Sequence, residues 1–148
     1  MEYKYCTLIT GACGGLGRAF VKLLAEKKED LILVGTSENK LEQLLKDFEK
    51  EFEEIYVKTI VCNLASEESR NNLIDEINKN GLVVNKLINN AGVIIEGDLL
   101  RFSNKEIENA VQVNCIGTLE LTKMLVEQRD ESKKFEVLTV ASQAAFQP

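Results

Sequence analysis

Short runs of apolar residues alternate with amphipathic helical stretches along the whole chain, which leaves few folds open to it. Residues 5–10 (YCTLIT), 31–34 (LILV) and 55–61 read as strands. So do Leu87 and Ile88 running into Asn89, and residues 135–141. Between them lie helical patterns. Residues from about 15 to 28 carry Leu16, Phe20, Leu23 and Leu24 on one stripe. Ser37 offers an N-cap ahead of Leu41, Leu44, Leu45, Phe48 and Phe52, and Ser66, followed by Glu67 and Glu68, opens a helix carrying Leu73, Ile74 and Ile77. Ser103 caps a helix reaching about Arg129. Crossovers of about ten residues or more rule out hairpins and require parallel pairing, with right-handed connections that cover both faces of the sheet. LILV has no polar alternate, as a strand buried on both faces requires. The expectation is an α/β fold: a doubly wound parallel sheet of the Rossmann type, strand order 3-2-1-4-5, ending after the fifth strand. No internal repeat or linker divides it, so residues 1–148 are expected to form a single domain.

Composition removes several kinds of chemistry. There is no histidine, so imidazole catalysis and histidine-held metals are excluded, and no metal site is expected. A net charge of −6 argues against a nucleic-acid partner, which would need a clustered basic face. Cys6, Cys13, Cys62 and Cys115 form no Cys-x-x-Cys pair and fit no zinc spacing. Cys6 and Cys62 fall in apolar runs, and reduced, structural thiols are expected. The opening MEYKYCTLITGACGG lacks the basic-then-apolar order of a signal peptide, and no apolar run approaches the ~20 residues of a membrane span. A cytoplasmic location without membrane contact is the expectation.

The glycine-rich run Thr10-Gly11-Ala12-Cys13-Gly14-Gly15-Leu16-Gly17 lies between the first strand and the first helix. A doubly wound sheet binds a dinucleotide pyrophosphate at this turn. Gly11 permits the tight exit from the strand. Gly15 lets backbone approach the phosphates, and Gly17 lets the helix pack closely. The helix N-terminus then offers free N–H groups to an anion.

Thr10-Gly11-x-x-x-Gly15-x-Gly17 resembles the cofactor loop of the short-chain dehydrogenase/reductase family. Gly11, Gly14 and Gly17 fit that family's extended branch equally well. Asn89-Asn90-Ala91-Gly92, directly after the fourth strand, is similar to the Asn-Asn-Ala-Gly of the classical branch and decides between them. The resemblance implies that Asn90, Ala91 and Gly92 place backbone against the cofactor ribose. It implies that Asn63, followed by Leu64, stands where an aspartate usually contacts adenine. Asn114 is similar to the family's helix asparagine, and Ser142 to its catalytic serine. The same resemblance implies hydride transfer between a nicotinamide cofactor and an alcohol or carbonyl substrate, and a homo-oligomer formed through the 104–129 helix.

Asn114 falls on the stripe Ile107, Ala110, Val111, Gly117, Thr118 and Leu121, expected to face the sheet. A buried asparagine there either ties down backbone or, as the resemblance implies, fixes a water leading toward a catalytic lysine; both can hold. Ser142 follows the last strand at the carboxyl edge, where such folds bind ligands. It is either a turn cap or a hydroxyl that bonds the substrate oxygen. After the second strand come Thr36 and Ser37, with neither an NAD-selecting carboxylate nor an arginine. Hydroxyls without a repelling carboxylate favour NADP over NAD. Lys40 either assists or is a solvated helix lysine. Cys13, inside the loop, makes alkylation a way to block cofactor.

The family's acid/base pair is Tyr-x-x-x-Lys, and these 148 residues contain none: Tyr3, Tyr5 and Tyr56 are followed four positions on by Thr7, Ile9 and Ile60. The chain is expected to lack turnover by itself. The alternative reading is a non-catalytic dinucleotide-binding or interaction protein.

Overall fold

The computed structural model describes residues 4–146, with the side chains of Ala144 and Ala145 left aside. Five parallel strands form one sheet in the order β3-β2-β1-β4-β5. They are β1 (Lys4–Thr10), β2 (Leu31–Gly35), β3 (Val57–Val61), β4 (Leu82–Asn89) and β5 (Glu136–Thr139). The helices are α1 (Gly15–Glu26), α2 (Glu38–Asp47), α3 (Glu67–Lys79), α4 (Asn104–Val111) and α5 (Thr118–Glu127). Every residue of β2 is buried, because helices cover both faces of it. On one face Ile32 and Val34 join Leu8, Leu73, Ile77 and Leu121 under α3 and α5. On the other, Leu31 and Leu33 join Ile9, Val21, Leu24 and Leu41 under α1 and α2. Each fully buried leucine or isoleucine contributes about 1.5–3 kcal/mol to this two-sided core.

The three serines expected to open helices do so. Ser37 Oγ accepts from Lys40 N–H and Ser66 Oγ from Ser69 N–H. Ser103 and Glu106 form a reciprocal capping box. Several details differ from expectation. The sheet-facing stripe of α1 is Gly17, Val21, Leu24 and Ala25, while Leu16 and Leu23 are exposed on its flanks. Helix α2 stops at Asp47; Phe48 and Phe52 still pack on the core, from the turns that follow. Strand β4 starts at Leu82, and a register shift opposite Cys6 and Thr7 lets Asn85 stand out of the ladder.

The helix expected from Ser103 to about Arg129 is interrupted. Residues Gln112–Gly117 form a π-helical segment between α4 and α5. The wider turn has local causes: Thr118 Oγ1 donates to the Val113 carbonyl, and Gly117 backbone lies against the Leu64 carbonyl, leaving no room for a Cβ. Among the described residues no helix is long and apolar enough to cross a membrane.

Candidate cofactor cleft

The carboxyl ends of β1, β2 and β4 open onto a cleft of about 760 Å³. Thr10 organises its centre. The Thr10 hydroxyl donates to the Ile88 carbonyl and accepts from the backbone N–H of Asn90 and of Ala91, both at 3.0 Å. Asn90 Nδ2 returns two bonds, to the carbonyls of Thr10 and Gly11, each at 3.1 Å. The glycine loop and the end of β4 are therefore stitched together by side chains whose polar atoms would otherwise be left bare. Asn89 reaches the other way, its Nδ2 donating to Thr122 and Thr139, so β4 is tied to α5 and β5.

The glycines of the loop differ in what they require. Gly11 has φ +64°, and a Cβ there would sit 2.9 Å from Ala91 Cα. A Cβ on Gly17 would overlap the Gly11 carbonyl. Gly15 is different: a Cβ there meets nothing within 4 Å. The packing of the protein itself does not require glycine at 15, which lies on the open side of the cleft. Helix α1 begins here with Gly14 as N-cap, no side-chain cap and no acidic residue in its first turn. Its first N–H groups and the positive end of its dipole are left for an anion.

The other expected cofactor residues gather around this centre. Thr36 and Ser37 line the cleft at the end of β2, with Lys40 one turn into α2. Ser37 Oγ accepts from Lys40 N–H and keeps its proton free to donate outward. Asn63 and Leu64 line the α3 side, and Asn90, Ala91 and Gly92 the β4 side, with Cys13, Gly14, Gly15, Leu16 and Gly17 between. Asn63 Oδ1 accepts from Ala65 N–H and keeps a second lone pair, and its NH2 group can also donate to a ligand. Cys13 is half-buried, and burial, opposed by the charges of Arg18 and Lys40, raises its pKa. Its thiol is therefore protonated at neutral pH and a slow nucleophile.

Asn114 is not buried as the stripe suggested; the π-helical turn rotates it to an exposed position beside the cleft. Both ends of its carboxamide are in use: Oδ1 accepts from Val93 N–H and Nδ2 donates to the Val93 carbonyl, each at 2.8 Å. Ser142 is exposed beyond β5, just before a short 3-10 turn at Gln143–Phe146, and the cleft lining does not reach it. Val34, Gly35, Cys62, Val93, Asn109 and Val113 also line the cleft and were not singled out from sequence. Val34, Gly35 and Cys62 were within reach, because each ends or directly follows a strand. Asn109 and Val113 depended on how the interrupted helix turns.

The model of the family described as short chain dehydrogenase matches residues 5–148. A very-long-chain 3-oxoacyl-CoA reductase of Neurospora crassa is 33% identical over 144 residues, which are 95% of this chain and 43% of that protein. One from Phaeosphaeria nodorum is 34% identical over 146 residues, 95% of this chain and 42% of that one. The chain thus spans less than half the length of these relatives. Among solved structures, a short-chain dehydrogenase from Sphingobium yanoikuyae in complex with NADPH superposes with a TM-score of 0.84 at 22% identity, covering 97% of this chain and 56% of that one. L-sorbose reductase from Gluconobacter frateurii, complexed with NADPH and L-sorbose, gives 0.86 at 18% identity, covering 100% and 56%. At these identities the structural likeness speaks for the fold.

Proposed function

Because the chain belongs to the short-chain dehydrogenase family, we propose that its cleft holds the cofactor of an oxidoreductase, and that residues 1–148 act as one NADP(H)-binding unit. The substrate class is an alcohol or carbonyl compound. The observation that carries this reading is the contrast among the loop glycines: Gly11 and Gly17 are required by packing, whereas Gly15 opens onto empty space at an uncapped helix N-terminus. A pyrophosphate is the anion that such a turn suits. When bound, the cofactor supplies or accepts the hydride.

NADP is favoured over NAD by the groups at the end of β2. Thr36, Ser37 and Lys40 all line the cleft, and the nearest carboxylate in sequence, Glu38, does not. Two structural neighbours are themselves NADPH complexes, which agrees with this choice. Asn114 acts by holding Val93, and with it the Asn90–Gly92 turn, at a fixed height beside the cleft. Ser142 is assigned the hydroxyl that bonds the substrate oxygen. The relatives' named substrate makes a 3-oxoacyl thioester the first carbonyl compound to try.

General acid–base catalysis contributes about 10²–10⁴-fold, and no Tyr-x-x-x-Lys pair is present in these 148 residues to supply it. Binding without turnover is therefore expected of the 148-residue chain. Calorimetric titration should show NADPH binding more tightly than NADH, and no cofactor oxidation with 3-oxoacyl-CoA or simple ketones. Absence of binding by both cofactors overturns the proposed function; sustained oxidation overturns the assignment of the missing pair.

A further inference from the structure

Leu64 is where three parts of the molecule meet. It lines the cleft, and its carbonyl oxygen accepts from Nη1 of Arg70 in α3. Gly117, at the end of the π-helical segment, packs so closely on that same carbonyl that a Cβ would overlap it. Arg70 continues through the structure: its Nη2 bonds and pairs with Glu120 of α5. The guanidinium is thus a strut between the rim of the cleft and α5.

Arg70 stands on the face of α3 that carries Leu73, Ile74 and Ile77 into the core, and its side chain is only 4% exposed. Its Nε has no hydrogen-bond partner among the described residues. An apolar residue of similar volume would avoid the cost of desolvating a cation at this position. What the arginine supplies is direction. The rest of the Cys62–Ser66 turn hangs from the start of α3: Asn63 N–H donates to Ser69 Oγ, and Cys62 Sγ donates to the Ser69 carbonyl. Those bonds fix the turn to α3 alone. Arg70 also ties it by hydrogen bonds to α5, through a carbonyl that has no other donor among the described residues.

We propose that Arg70 is a positioning residue for the adenine end of the cofactor, holding Leu64 and Asn63 at the height at which the cleft receives it. The proposal rests on the cleft being a dinucleotide site. Loss of the strut frees the Leu64 carbonyl to turn toward another donor, and the turn moves with it. Arg70 does not line the cleft, so it acts through Leu64 and not by contact.

The test is calorimetric titration of the purified chain with NADPH and with adenosine 2′,5′-bisphosphate. Arg70→Met is compared with Arg70→Lys, and with Leu73→Val as a core variant on the same helix face. Arg70→Met should weaken both adenine ligands about tenfold. Arg70→Lys should recover part of that loss, since an ammonium can still reach one of the two acceptors. Leu73→Val should lower the melting temperature and leave both affinities unchanged. Equal losses in Arg70→Met and Leu73→Val, or wild-type affinity in Arg70→Met, would overturn the proposal. If circular dichroism shows that Arg70→Met does not fold, Glu120→Gln decides: weakened binding supports the strut and unchanged binding overturns it. A wild-type chain that binds neither ligand removes the cofactor reading and the strut together; a wild-type chain that binds, beside an Arg70→Met that binds as well, removes only the strut.

Discussion

A single methyl group separates two kinds of glycine in the cofactor loop. At Gly15 it would enter open space, and alanine is the better helix former by up to ~1 kcal/mol. Gly15→Ala should therefore melt no lower than wild type while losing about tenfold or more in NADPH affinity. At Gly17 the methyl would overlap the Gly11 carbonyl, so either the loop or α1 must move. Gly17→Ala should cost about 1–3 kcal/mol in urea unfolding, as overpacked substitutions do. A Gly15→Ala chain that binds NADPH normally, or a Gly17→Ala chain of undiminished stability, would contradict this division. The loop was legible in sequence because strand, glycines and helix follow one another in a fixed order. Asn114 was legible as a special residue but not in its action, since its partner, Val93, lies 21 positions away and is reached only through the fold. Arg70 left one readable trace, a charge at the position of α3 that continues the stripe of Leu73, Ile74 and Ile77.

At the scale of elements, helix starts were readable because a capping serine acts within three residues of itself. Helix interiors were less so. AVQVNCIG has only Gly117 against a regular helix, and the π-helical turn is set by the local bond from Thr118 to the Val113 carbonyl together with contacts from outside, to Leu64 and Val93. The apolar pattern marks only the end of β4, because Asn85 and Lys86 interrupt the run, and Lys86 has a charged partner. Its ammonium bonds both oxygens of Glu29, at 2.7 and 2.8 Å, while Thr7 donates to the same carboxylate at 2.6 Å. Burial alone would raise the Glu29 pKa, but the Lys86 and Thr7 hydrogen bonds outweigh it and the net shift is downward. Nearby, the Tyr5 hydroxyl and Ser132 hold the Asp130 carboxyl down to about 2, from an ordinary 3.8. A carboxyl whose pKa is lower in the folded chain stabilises it fully above the unfolded value, and that contribution disappears as pH falls through the folded one. Tyr5→Phe removes the largest of the bonds to Asp130. Its stability deficit in urea should be greatest near neutrality and should shrink between about pH 4 and pH 2. A deficit that stays constant over that range would show that Tyr5 contributes packing alone.

The whole molecule is unevenly covered. Under α1, α2 and α3 the sheet is closed on both faces, but at β5 Val137 and Leu138, on opposite faces, are each 45% exposed. On the interrupted helix Val111, Ile116 and Leu119 are exposed as well, Leu119 at 69%. Both places expose several large apolar side chains, whereas the exterior of α2 and α3 is mostly charged or polar. The sequence pointed to the helix surface, because its apolar residues run nearly all round from Ala110 to Leu119. It pointed to β5 as well, since a sheet that ends at its fifth strand leaves that strand at an open edge. An open strand edge and an uncovered helix face both favour association. Light scattering at tens of micromolar should therefore give a mass above that of one chain. Leu119→Glu separates the two surfaces. If copies meet through the helix, the mass falls toward the monomer, because a carboxylate would have to be desolvated at the contact. If they meet through β5, the mass is unchanged by Leu119→Glu and falls instead with Val137→Lys, a charge that blunts a strand surface. A wild-type chain that scatters as a monomer at these concentrations would show that neither apolar surface is large enough to hold two copies together.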